Sequence, residues 1–222
     1  TILFIIYFII FAIIIRKLVA KKFVSLSSTE VLIAFALKTA MACLYGWIFQ
    51  HYYNGDDTWA LHEASLYEKS MLFTKPKQFF SEFTPITAWI HNDSIVGFIS
   101  TYLSDLEYAL QAKSLAVINI LTQNNYYLNT IFFSFITFWG HYLLFKLFVS
   151  RFPDKRKLLF AIVFLFPPAL FWLSGIRGDG LLFLFTTMLL YCFDRWLVSK
   201  KKLHAWLACI GFIGMTIFRP PF

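Results

Sequence analysis

Apolar stretches too long for the elements of a soluble core recur along this chain, and they confine it to one class of fold. Residues 2–15 carry no charged side chain, and residues 128–149 hold only His141 and Lys146 as basic or acidic groups. A run of about 18 or more such residues is long enough to cross a bilayer as a helix. Inside lipid every backbone amide must find its partner within the segment, which leaves helices or closed barrels. The sequence is 59% hydrophobic, with 28 Phe, and only 14% charged; soluble domains carry about 25% charge. A protein embedded in the lipid bilayer follows. The net charge of +8 sits in short loops between apolar runs, where it reports orientation rather than a nucleic-acid partner.

The apolar pattern predicts an all-α fold, a polytopic transmembrane bundle of about six spans. They fall near residues 2–15, 31–49, 128–149, 158–173, 181–198 and 203–218, and a long polar segment separates the second from the third. The chain therefore divides into two spans (1–49), a loop with interfacial helices (50–127) and four further spans (128–222). Three basic clusters lie between spans: Arg16, Lys17, Lys21 and Lys22; Arg151, Lys155, Arg156 and Lys157; Lys200, Lys201 and Lys202. Six alternating crossings put all three on one side, which the positive-inside rule makes cytoplasmic. The 50–127 loop is then extracytoplasmic, with acids Asp56, Asp57, Glu63, Glu68, Glu82, Asp93, Asp105 and Glu107 against Lys69, Lys75, Lys77 and Lys113. The chain starts at Thr1 and stops at Arg219-Pro220-Pro221-Phe222 as a span ends, so it is expected to continue beyond residue 222. The first apolar run has no basic stretch before it and no small-residue cleavage site after it, unlike a secretory leader. Cys43, Cys192 and Cys209 fall in predicted spans and read as packing residues.

Within the outer loop, residues 58–71 have helical character and Lys75-Pro76-Lys77 breaks it. Residues 94–121 carry apolar side chains at helical spacing, Ile95, Phe98, Ile99, Tyr102, Leu106 and Leu110, in one or two surface helices packed back on the bundle. Pro167-Pro168 kinks or ends regular helix in the fourth span.

Four polar groups meet at the outer surface: Asp56-Asp57 after the second span, Arg177-Gly178-Asp179 in the turn between the fourth and fifth, Arg219 after the sixth, and His91-Asn92-Asp93 in the loop. Arginine matches phosphate through a planar fork, and a nearby carboxylate can take a proton from an attacking hydroxyl. Each group also has a plainer reading. Asp56 or Asp57 caps the helix that follows; Arg177 and Asp179 form a local ion pair or anchor to lipid headgroups; Arg219 is an interfacial anchor; His91 and Asp93 belong to a solvated loop. Lys38 sits near the middle of its span, too deep to reach water, and faces other helices. Asp194-Arg195 reads as a pair near the inner boundary. The spans are too apolar for a channel or ion-coupled transporter to lead.

The stretch Phe166-Pro167-Pro168-Ala169-Leu170-Phe171-Trp172-Leu173-Ser174-Gly175-Ile176-Arg177-Gly178-Asp179-Gly180 resembles a segment of bacterial integral membrane glycosyltransferases of the C-type (GT-C) superfamily. Arg219-Pro220 resembles a second recurring feature of that family, and Asp56-Asp57-Thr58-Trp59-Ala60-Leu61-His62 resembles its acidic first-loop motif before a surface helix. The chain departs from the pattern in two places: Arg177 is one residue further from Asp179 than usual, and two spans rather than one precede the acidic loop. The resemblance is to a divergent member. It implies transfer of a sugar from a polyprenyl-phosphate carrier at the outer face of a bacterial inner membrane. Asp56 or Asp57 would act as catalytic base or help hold a metal, and Arg177 and Arg219 would bind phosphate. Asp179, His62, His91, Asp93 and Lys38 are candidates for supporting roles. Residue spacing indicates no metal site and leaves any cofactor unknown, while the resemblance allows a divalent ion. The competing readings are a non-catalytic subunit with protein partners in an envelope export or assembly complex, and a surface polysaccharide polymerase.

Overall fold

The computed structural model describes residues 2–20, 26–82 and 94–218. They form ten α-helices and two irregular helical turns, with no strand among the described residues. Helices α1 (Ile2–Ala20), α2 (Ser28–Tyr52), α6 (Tyr126–Val149) and α9 (Gly178–Ser199) are long and apolar enough to cross a membrane. Helix α10 (Lys202–Phe218) is apolar but shorter. Between α2 and α6 stand α3 (Asp57–Thr74), α4 (Pro76–Ser81) and α5 (Ile95–Thr122).

Local chemistry explains the boundaries. Ser27 accepts from the Glu30 amide while Glu30 accepts from the Ser27 amide, a reciprocal capping box that starts α2. Helix α3 stops at Thr74, and Pro76, which has no amide to donate, opens α4 at its first turn. Residues 95–122 form one continuous helix, the single-helix alternative of the one or two expected over 94–121. It packs along α3 and reaches α6 and α10.

The expected fourth span is not one helix. It is split into α7 (Arg156–Phe160), a π-helical turn (Ala161–Leu165) and α8 (Pro167–Trp172). Pro167 excludes helical geometry at the residue before it, and Phe166 is accordingly extended, with ψ of 112°. The far end of α8 is tied down from α2: Lys38 is buried and its Nζ donates to the Leu173 carbonyl at 2.8 Å. The amine thus satisfies a carbonyl that the end of α8 leaves without a helical partner.

Helix α6 is the hub, touching α1, α2, α5, α7 and α9. Ile15, Phe35, Ile131, Phe138, Phe145 and Phe164 are among the residues of the main core. The phenylalanines interlock: Phe35 meets Phe138 edge-on at 6.0 Å and stacks on Phe8 at 5.3 Å. This is one use of the abundant Phe, since ring pairs gain beyond the area they bury. Ion pairs gather at one end of the bundle, where Arg156 meets Glu30 of α2 and Asp194 of α9 meets both Arg151 and Arg195. The polar cluster described next lies at the opposite ends of α2 and α9.

Candidate functional site

The acidic pair follows a turn that only certain residues make easily. Asn54 and Gly55 have φ of 56° and 105°, a left-handed backbone that glycine adopts without penalty. The turn sets Asp56 and Asp57 at the start of α3, and there they part company. Asp56 is the N-cap: its Oδ1 accepts from the Thr58 amide at 3.1 Å and from the Thr58 hydroxyl at 2.7 Å. Its Oδ2 accepts from the Tyr45 hydroxyl at 3.2 Å. Asp57, one residue on, is exposed and lines a cleft of about 360 Å³.

The opposite side of that cleft comes from the α8–α9 turn. Arg177 Nη1 donates to the Tyr45 hydroxyl at 2.8 Å, and Arg177 Nε lies 3.4 Å from Asp179 Oδ2. Tyr45 therefore joins Arg177 to Asp56, accepting from the first and donating to the second. Burial alone would lower the Arg177 pKa; the Tyr45 bond and the Asp179 and Asp57 charges outweigh it and raise the value. The guanidinium is a fixed cation at the cleft wall. Behind Asp56, the Tyr126 hydroxyl donates to Thr58 Oγ1 at 2.9 Å, and the Tyr126 ring stacks on Trp59 at 3.9 Å. Asp56 is thus held by α2 and α3, with α6 bracing Thr58 behind it.

Helix α5 supplies the third wall through Ser104, Glu107, Tyr108 and Gln111. Gly178 opens α9 against this wall, and a β-carbon there would collide with the Glu107 carboxylate. Gln111 Nε2 donates to Glu107 Oε1 at 3.1 Å. Burial first, then the Asp57 and Glu63 charges, push the Tyr108 phenol up, keeping it a protonated donor. These α5 residues were not singled out as site candidates from the sequence. Their one available signal was the spacing of Ser104, Glu107 and Gln111, which puts polar groups on one helical face.

The polar cleft adjoins an apolar groove of about 310 Å³ between α5, α6, α9 and α10. Gln111, Ile176 and Phe218 line both cavities, and Leu110, Leu115, Phe133, Ile136 and Phe185 are among the residues that make the groove greasy. A polar head and an apolar chain joined together fit this pair of cavities.

Other predicted residues stand elsewhere. His62 is buried and its Nδ1 lies 3.2 Å from Asn129 Nδ2, inside a network with Asn119, Ser65 and Thr122. Lys38 braces α8. Neither lines the cleft. Arg219, His91 and Asp93 lie outside the described residues, though Phe218, the neighbour of Arg219, lines both cavities. Among the described residues no group of three or more His, Cys, Asp or Glu side chains could hold a metal ion. No family model, curated protein or solved structure matches the chain.

Proposed function

We propose that the protein transfers a sugar from a polyprenyl-phosphate donor at the outer face of a bacterial inner membrane, as a divergent GT-C-like glycosyltransferase. One observation carries the reading: the cleft holding Asp57 and Arg177 adjoins an apolar groove, with Gln111, Ile176 and Phe218 lining both. An amphiphile with a charged head and a hydrocarbon chain has the matching shape. The chain is read as six crossings, with the α7–α8 segment as the fourth and α10 as the sixth. The three basic clusters then face the cytoplasm and the cleft faces out.

In this site the donor phosphate pairs with the Arg177 guanidinium, a charge-assisted contact. Arg219 is a second phosphate ligand in the proposal. Asp57 accepts the proton of the acceptor hydroxyl as its oxygen forms a bond to the anomeric carbon. The bond from that carbon to the phosphate oxygen breaks, and the electron pair leaves on the phosphate held by Arg177. A single displacement of this kind inverts the anomeric centre. Asp56 has a positioning role, because both its oxygens already hold Thr58 and Tyr45. Asp57, Glu107 and Asp179 against one described arginine favour a head rich in hydroxyl donors over a bare phosphate.

Membranes containing the protein, supplied with polyprenyl-phosphohexose labelled in the sugar, test this. Wild type is expected to move label out of the lipid phase, and Asp57→Asn to slow that release at least about a hundredfold, within the range lost with a general base. Release at the wild-type rate by Asp57→Asn would remove that aspartate from the chemistry.

A further inference from the structure

The α5 wall of the cleft carries an unmet hydrogen-bonding group. Gln111 is 8% exposed. Its Nε2 is committed to Glu107, which fixes the amide orientation, because a carboxylate accepts and cannot donate. Its Oε1 is sealed from water and has no partner among the described residues. A buried acceptor left in this state is costly, and the cost is recovered only when a donor arrives. The same side chain lines both the polar cleft and the apolar groove. Glu107 stands one helical turn before it, its carboxylate against Gly178.

We infer that Glu107 and Gln111 form a hydroxyl-reading subsite at the neck of the cleft, selecting a ligand whose polar head carries hydroxyl groups close to its hydrocarbon chain. The inference rests on the reading of the two cavities as one amphiphile site. Binding shifts the pair so that Oε1 reaches the cleft and accepts one ligand hydroxyl while Nε2 stays on Glu107. The Glu107 carboxylate, which can accept more than one hydrogen bond, takes a neighbouring hydroxyl. Such a head has two sources: the sugar of a phosphosugar lipid, or the glycerol of a bilayer phospholipid. The shared chemistry is a donor hydroxyl beside a phosphate.

The test compares probes with and without head hydroxyls, using the whole protein in phosphatidylcholine nanodiscs so that no detergent sugar competes. The first pair is farnesyl phosphate and farnesyl-phosphoglucose; the second is dioleoyl phosphatidic acid and dioleoyl phosphatidylglycerol. Wild type is expected to bind the hydroxyl-bearing member of one pair about tenfold more tightly, a typical effect of satisfying a buried acceptor. Which pair shows the preference identifies the source. Gln111→Met is expected to bring that ratio to about one, and a cooperative melting transition near that of wild type shows that the variant is folded. Glu107→Gln lowers the same ratio. A wild type that binds both members of each pair equally, or a Gln111→Met variant that keeps the preference, overturns the subsite and leaves the amphiphile site standing. A wild type that binds none of the four probes overturns both.

Discussion

At the scale of single residues, neighbours in sequence take different tasks because the helix start separates them. Asp56, with extended backbone, turns its carboxylate onto α3 and Tyr45; Asp57, already helical, faces the cleft. The sequence showed an acidic pair, and which member caps and which faces the cleft depended on where α3 begins. Removing the cap by Asp56→Ala is expected to cost about 1–2 kcal/mol, lowering the thermal midpoint of the purified protein. Asp57→Ala is expected to cost less, and the reverse order would contradict the division of labour. His62 behaves as a structural histidine. Burial lowers its pKa from the ordinary 6.5, against opposing contributions from the Asn124 backbone and Glu63. Asn129 can donate to Nδ1 only while that nitrogen keeps its lone pair. The unfolded chain therefore binds the proton first. His62 leaves stability intact above about pH 6.5 and subtracts from it as pH falls toward the lowered native value. Melting curves at pH 5 and pH 7.5 should show a smaller difference in His62→Gln than in wild type; an equal difference would mean that His62 does not titrate on unfolding.

At the scale of elements, the boundaries set by local chemistry were legible. Pro76 between α3 and α4, the acid before α3 and the apolar lengths of α2, α6 and α9 all follow from side-chain type. The break in the fourth apolar run was legible as Pro167-Pro168, but its depth was not. Hydropathy is blind to whether a segment is one helix; the break before α8 comes from Pro167, while Lys38 reaches from α2 to the Leu173 carbonyl at the far end of α8. Lys38 was read correctly as facing other helices. Whether residues 95–122 form one helix or two was not legible, because they mix acids, a lysine and apolar groups. They are helical through contact with α3, including the Lys113–Glu68 pair at 2.8 Å. That mixture also hid Glu107 and Gln111, whose importance comes from the close approach of Gly178 on another helix.

At the scale of the whole molecule, helices distant in sequence close around one cavity. Asp57 of α3, Glu107 and Gln111 of α5 and Arg177 before α9 line it, while Tyr45 of α2 braces Arg177 and Tyr126 of α6 braces Thr58 behind them. The sequence pointed to Asp57, Arg177 and Asp179 as separate groups at one surface, and the fold brings those three together. What it could not reveal was the apolar groove beside them, since Leu110, Phe133 and Phe185 are ordinary bundle residues until their helices leave a space between them. The central claim is that Arg177 grips the phosphate of a lipid whose chain lies in that groove. Equilibrium binding of farnesyl phosphate to wild type and Arg177→Ala in nanodiscs tests it most directly. The account predicts a loss of affinity of roughly tenfold to a hundredfold, the worth of a hydrogen bond to a charged group. An unchanged dissociation constant in the variant would contradict it.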